Sequence, residues 1–415
     1  MRTAYSALLT GCAQLSKVLA GFVLLKMIAY YLGAAGLGAL GNFMSLTTIV
    51  SMLAGGGVTN GVIKYVAEYK GAKKKLSEFV NSAVVYSCIA SLVIMILGMS
   101  FSGVISQVIF GSPELRWIII LSALFQFCFA FANLVTGVAT GLGEVRAVAK
   151  IQIVGNVIGL PIAYLLLRLF GIVGAAIGIL VVLGAQFLPA YVAFYLSRFK
   201  IAWIRLDAAK PHVRSLLLYT VMIATSVIAF PVIEIAIRDR LIRYAGYHST
   251  GIWQGAVKLS SAYLNFFSIF LAYYFVPLVS AVKDKGEVAK YAWRALVVIS
   301  LLFVGGAAVF YFFRDFFISL LLSSNFSDLR DFIVFQLIGD FFKAGAYVFG
   351  YIAVAKAAAK LYIVAEIVQS VGFFGLAILF GMYLQPLQSV FLAYMVNYMI
   401  YFFVAVLVFV RWRKD

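Results

Sequence analysis

The chain has 415 residues, of which 64% are hydrophobic, 16% aromatic and only 12% charged, with a mean hydropathy of +1.05. A soluble domain carries about 25% charged residues, so this composition excludes a soluble protein and puts most of the chain in a bilayer. In a soluble chain a net charge of +18 would suggest nucleic acid; here its distribution follows membrane orientation, and nucleic acid is not an expected partner.

Crossing a bilayer takes about 20 apolar residues. In chain order the expected spans fall at about 5–32, 36–67, 79–110, 115–140, 146–168, 172–197, 214–237, 250–282, 291–313, 331–355, 360–381 and 387–410. The class is therefore all-α and integral to the membrane, with twelve helices. The first stretch carries Lys17 and Lys26 and runs to Leu32, which reads as a span rather than a cleavable signal. The longest polar connection, Arg198 to Arg214, is too short to fold alone. It divides the chain into an N-terminal lobe at 1–197 (spans 1–6), a cytoplasmic linker at 198–213 and a C-terminal lobe at 214–415 (spans 7–12). With the N-terminus in the cytoplasm, 21 Lys and Arg fall on that side and seven on the outer side, which puts both termini inside.

The halves are faintly alike at an offset near 213 residues: Gly38-Ala39-Leu40-Gly41 lies opposite Gly251-Ile252-Trp253-Gln254. Six spans per half make parallel repeats, with a pathway expected between them. Span 2 contains Gly55-Gly56-Gly57. Each glycine weakens a helix by roughly 1 kcal/mol relative to alanine. The run reads either as a hinge that bends as a pathway opens or as close packing through small residues. Pro231 and Pro277 sit inside spans 7 and 8, where kinks are expected.

The most informative residues are cations inside apolar spans: Lys17, Lys26, Lys258 and Lys343. A cation near mid-bilayer costs roughly 2.5–3.5 kcal/mol on insertion scales, so such residues normally face a bundle interior or a water-filled route. They mark a path for something anionic. Lys343 is the deepest, with Asp340 three residues earlier on the same helix face, either as a local ion pair or as a carboxylate tuning a cation over the path. Lys17 and Lys26 are nine residues apart, about half a turn out of phase, so both cannot face one lumen on a straight helix. Lys258 and Lys26 are within snorkelling reach of the outer side, and Lys64 reads as a snorkelling anchor at the cytoplasmic end of span 2. Glu234 and Arg238 form an i, i+4 pair near the outer end of span 7. Arg238, Arg240 and Arg243 read as a solvated rim or as an anion-attracting vestibule. Glu366 in span 11 is placed to pair with a lysine or carry a coupling proton.

No Gly-Lys-Ser/Thr phosphate loop, HExxH or nucleophile motif is present, and no large outer segment stands ready for catalysis, so an enzyme is not expected. Cys12, Cys88 and Cys128 share no metal or redox spacing and read as packing residues, and His212 and His248 make no ligand cluster. No metal or cofactor is expected.

Three strings carry a family resemblance. They are Gly339-Asp340-Phe341-Phe342-Lys343-Ala344-Gly345 onward to Ala365-Glu366, Gly251-Ile252-Trp253-Gln254-Gly255, and Leu53-Ala54-Gly55-Gly56-Gly57 leading to Asn60-Gly61-Val62-Ile63-Lys64-Tyr65-Val66. These resemble the Wzx-type polysaccharide flippases of the multidrug/oligosaccharidyl-lipid/polysaccharide superfamily, over nearly the whole chain. The resemblance implies two six-helix lobes around a central cavity with a cationic lumen, and Lys17, Lys26, Asp340 and Lys343 fall at matching motif positions. It implies a substrate of undecaprenyl-pyrophosphate-linked oligosaccharide, as lipid III of enterobacterial common antigen or an O-antigen unit, moved across a bacterial inner membrane by alternating access. A polysaccharide polymerase and a chain-length regulator are the implied protein partners. The rival readings are a cation-coupled multidrug exporter of the same superfamily and a membrane-embedded polymerase or ligase. The chain leans basic within its spans, against the exporter, and lacks the outer catalytic segment of the enzyme.

Overall fold

The computed structural model describes residues 2–196, 212–356 and 358–414, so the expected linker at 198–213 lies outside the described residues apart from His212 and Val213. The elements in order are α1 (Arg2–Leu53), a 3-10 turn (Ala54–Gly57), α2 (Thr59–Tyr69), α3 (Lys73–Ser100), α4 (Ser102–Phe110), α5 (Arg116–Leu142), α6 (Val145–Gly184) and α7 (Phe187–Leu196). Then come α8 (Val213–Phe270), a π-turn (Leu271–Phe275), α9 (Val276–Ala281), α10 (Lys285–Phe312), α11 (Arg314–Leu321), α12 (Leu329–Ala355), α13 (Ala359–Phe380) and α14 (Pro386–Lys414).

Three of these helices break at a glycine with positive φ: α1 at Gly33, α6 at Gly171 and α8 at Gly246. Counting the segments on either side, twelve long helical segments stand in the described residues, at the twelve expected places. Eight helical stretches are long and apolar enough to cross a membrane, and this is a multi-pass membrane protein. The breaks at Gly33 (φ 65°, ψ −168°) and Gly246 (φ 74°, ψ 177°) share one conformation and lie 213 residues apart, the offset of the faint sequence repeat. Only glycine visits that region without strain, which is why each half keeps one there.

The described residues group into two compact units, Met1–Tyr31 with Asn42–Pro231, and Leu32–Gly41 with Val232–Asp415. In the first unit, buried Val58, which precedes α2, and Val62 and Val66 of α2 pack with Phe79 and Val80 of α3 and with Leu134, Val138 and Leu142 of α5. Within it span 2 is interrupted: Gly55, Gly56 and Gly57 have φ of 69°, 82° and 65°. The carbonyl this frees at Gly56 accepts from Thr220 Oγ1, which also lies 2.7 Å from Tyr86 OH, and the Ser51 carbonyl accepts from Asn133 Nδ2 at 2.9 Å. Side chains thus replace the lost helix bonds, as an apolar surround demands. A Cβ on Gly56 would stand 2.6 Å from the Tyr86 ring and 3.1 Å from Ala90 Cβ, so the run is tightly packed as well as broken.

In the second unit, α8, α10, α12 and α14 enclose a core of Leu264, Phe275, Ile299, Phe303, Val348 and Phe409. Residues 34–41 and 247–251 of this unit approach closely through two glycines. A Cβ on Gly38 would lie 2.2 Å from the Tyr247 carbonyl oxygen, and one on Gly251 would lie 1.7 Å from that of Ala34. The four positions are repeat mates at the 213-residue offset, so the crossing is self-complementary. Pro231 lies inside α8 where φ/ψ stay helical, whereas a π-turn precedes Pro277 and takes up the carbonyl displaced by its ring.

Candidate functional site

The candidate site is built on α12, where Gln336, Asp340, Lys343 and Tyr347 recur at helical spacing and form a polar stripe within an apolar span. Asp340 is wholly buried. Its Oδ2 accepts from Ser260 Oγ at 2.5 Å and from Tyr263 OH, and its Oδ1 accepts from Tyr394 OH at 2.6 Å. Gln336 Nε2 donates to Ser260 Oγ at 2.7 Å. Ser260 and Tyr263 share one face of α8, and Tyr394 and Tyr398 share one face of α14, so three helices converge on the carboxylate. Gly339 admits the Tyr394 ring, since a Cβ there would stand 2.6 Å from it. That approach explains the glycine immediately before the buried acid.

Lys343 and Asp340 are not joined as the local pair that their spacing had left open. The carboxylate is taken by hydroxyls, and Lys343 Nζ turns to Tyr394 OH at 3.4 Å and sits 4.6 Å from the centroid of the Tyr398 ring. Tyr394 therefore links the two charges, one hydroxyl donating to the acid and accepting from the ammonium. Cation–π contact holds the lysine without cancelling its charge. Glu366, half-buried on α13, lies within electrostatic reach of Lys343.

A second charged cluster corrects the vestibule expectation. Arg238 is not at a rim; it is fully buried, donating to Glu234 Oε2 at 2.9 Å and to Gln254 Oε1 at 2.8 Å, 5.5 Å from the centroid of the Trp253 ring. Gly41 makes the space, because a Cβ there would press on Arg238 Cδ at 2.8 Å. The buried positions Glu234, Ile237, Arg238 and Leu241 follow helical periodicity, a signal present in the sequence. Arg240 is half-buried over Tyr244, and Arg243 is exposed and pairs with Asp239 at 2.7 Å, so these two remain on the surface. Lys258 is half-buried and within electrostatic reach of Glu234 and Arg238.

The predicted residues thus gather in part. Asp340, Lys343 and Glu366 form one neighbourhood of the second unit, and Glu234, Arg238 and Lys258 another. Lys17, exposed on its helix, and Lys26, half-buried, belong to the first unit, where the neighbouring Ser16 Oγ accepts from Asn156 Nδ2 at 3.2 Å. Lys64 is exposed and lies over the Tyr65 ring. Sequence reasoning missed Ser260, Tyr263, Gln336, Tyr394 and Tyr398; the i, i+4 spacings of Gln336 with Asp340 and of Tyr394 with Tyr398 in apolar spans were marks present in the sequence. Of the cysteines expected to pack, Cys128 is half-buried but Cys88 is exposed; that helix face carries exposed Ile89 and Leu92 as well. His212 meets the Tyr69 and Phe79 rings, and His248 pairs with Asp328 at 3.1 Å. Among the described residues no His, Cys, Asp and Glu group is arranged to hold a metal.

Substituting Tyr394 by Phe removes the hydroxyl while keeping the ring. The expected loss is about 1–3 kcal/mol of stability, from a buried carboxylate left one donor short. Thermal unfolding of the purified variant in detergent checks this, and an unchanged midpoint would show that the link is idle.

The fold is that of the transporters of the multidrug/oligosaccharidyl-lipid/polysaccharide superfamily. An inward-facing multidrug resistance MATE family transporter of that superfamily superposes with a TM-score of 0.80 at 16% identity, covering 97% of this chain and 96% of that one. The lipid II flippase MurJ in an inward closed conformation superposes at 0.76 and 16% identity, covering 97% and 87%. The polysaccharide biosynthesis protein model matches residues 4–283, and the chain belongs to that family. The chain is also 33% identical over 427 residues to the lipid III flippases of Escherichia coli (strain K12) and Shigella flexneri, covering 100% of each chain.

Proposed function

We propose that this protein is a flippase that moves undecaprenyl-pyrophosphate-linked oligosaccharide, lipid III or an O-antigen unit, from the cytoplasmic to the periplasmic leaflet. The observation that carries the reading is Lys343, a cation kept within a span by tyrosine rings beside a buried, hydroxyl-bound Asp340. Full-length similarity to lipid III flippases supports the substrate class. A pyrophosphate cannot cross hydrocarbon unaided, and fixed ammonium groups replace its lost hydration.

In this reading the lobes 1–197 and 214–415 alternate access around a central cavity. Lys343 and Lys17 are the foremost pyrophosphate contacts, and Lys26 and Lys258 rank after them. Asp340, Glu366 and Glu234 tune those cations or couple transport to an ion, Arg240 and Arg243 draw the anion at the outer rim, and the break at Gly55, Gly56 and Gly57 is the hinge. The membrane is a bacterial inner membrane with both termini in the cytoplasm, in line with 21 basic residues on that side against seven. A polymerase and a chain-length regulator would receive the product.

The test is head-group exposure of a polyprenyl-pyrophosphate oligosaccharide in proteoliposomes, with drug efflux as the control. Lys343→Ala is expected to slow translocation about tenfold or more, the loss of one charged contact in the rate-limiting state. Translocation equal to the unmodified protein would remove Lys343 from the mechanism, and drug movement without lipid movement would favour the exporter.

A further inference from the structure

A cavity of about 280 Å³ lies in the second unit between α12, α13 and α14, outside the polar cluster. Its floor is Phe349, Gly350 and Ala353 of α12, and its walls are Leu361 and Ala365 of α13 with Val404 and Val408 of α14. Along α14 it runs from Tyr401 to Trp412, about 16 Å at helical rise, or about half of a hydrocarbon core. Gly350 keeps it open: a Cβ there would have nothing within 4 Å.

The cavity opens sideways. Leu361, Val364, Val368, Val404 and Val408 line it and are 39–64% exposed, on a surface that in a membrane only lipid reaches. One end is basic. Lys360, Arg411, Arg413 and Lys414 are exposed around it, and Lys285 Nζ lies 5.4 Å from the centroid of the Trp412 ring that closes it. Lys356 lines the same end but is committed to the last turn of α9, donating to the Val279 carbonyl at 2.9 Å. At the other end Tyr401 stands within electrostatic reach of Glu366. The groove therefore runs from a basic membrane interface to the neighbourhood of Lys343.

We infer that this groove holds part of the polyprenyl chain of an anionic polyprenyl-phosphate lipid, with the phosphate at the Lys360–Arg411 end. The inference rests on the flippase reading, and it adds a tail site on one lobe. Hydrocarbon fills an apolar slot that water would leave at a loss, and the basic rim selects a lipid with a negative head. The Phe349, Phe409 and Trp412 rings follow one another along the lining, with centroids 5.2 and 5.8 Å apart and the first pair tilted, an uneven aromatic wall against which a methyl-branched chain packs.

The test uses the full chain in phosphatidylcholine vesicles with a diazirine-tagged polyprenyl phosphate, and tagged phosphatidylglycerol in a parallel arm. Polyprenyl phosphate is expected to label the peptides spanning 361–368 and 401–408. Gly350→Phe, which projects a ring into the groove, is expected to cut that labelling about tenfold, while Gly350→Ala retains it. Equal labelling by phosphatidylglycerol, or labelling indifferent to Gly350→Phe, would overturn the inference. The tagged lipid bears no sugar, so the readout is separate from transport: labelling without translocation would sink the flippase reading and keep the groove, and translocation without labelling would do the reverse.

Discussion

Replacing Glu234 by Gln, with Arg238 left in place, is expected to destabilise the protein by about 3–5 kcal/mol, the penalty for breaking a buried ion pair from one side. Arg238 has no exposed surface, and its second acceptor, Gln254, is neutral. The loss is asymmetric. Without Glu234, both Arg238 and Lys258 lose the carboxylate whose field they share. Without Arg238, Glu234 still has Lys258 nearby, so Arg238→Met is expected to cost less. The double variant Glu234→Leu with Arg238→Met should recover most of the loss, because a well-packed apolar pair of similar volume stands in for a buried ion pair at little or no cost. Thermal unfolding in detergent gives the order of the three variants. A small and equal shift for both single variants would mean that water reaches the pair.

Gly251→Ala is expected to cost about 3 kcal/mol, at the top of the range for overpacking, from a single methyl group. The methyl would lie 1.7 Å from the carbonyl oxygen of Ala34 and 2.4 Å from its carbon, and backbone cannot turn aside as a long side chain does. Gly38→Ala, against the Tyr247 carbonyl at 2.2 Å, is expected to follow with a smaller loss. Gly350→Ala is the matched control, with open space at its Cβ and a gain in helix propensity of up to about 1 kcal/mol. Melting temperatures of the three variants test the crossing directly. Gly251→Ala as stable as Gly350→Ala would show that the two helices separate freely.

Much of the architecture was legible because hydrocarbon imposes one rule along the whole chain: about 20 apolar residues per crossing, with backbone bonds closed inside the helix. The twelve spans and the family strings follow from that rule and from residue order. The function of the strings was less legible. Gly251-Ile252-Trp253-Gln254 looked like a repeat marker, but its members serve a helix crossing, a cation–π contact and a hydrogen bond to Arg238. Arg238 itself read as part of a rim because Asp239, Arg240 and Arg243 surround it in sequence. On a helix those neighbours point elsewhere, and Arg238 shares its face with Ile237 and Leu241.

The sequence by itself determined where the chain enters and leaves the apolar phase, which cations stand inside it, and the family to which it belongs. Hydropathy and charge are properties of each residue and its near neighbours, so they survive without coordinates. Only the tertiary structure decided what each buried charge meets. Lys343 finds Tyr394 and Tyr398, and Asp340 finds Ser260 and Tyr263, all at least 50 positions away in sequence. Those partners are chosen by how three helices pack, and the packing depends on glycines such as Gly339 that let side chains from other helices approach.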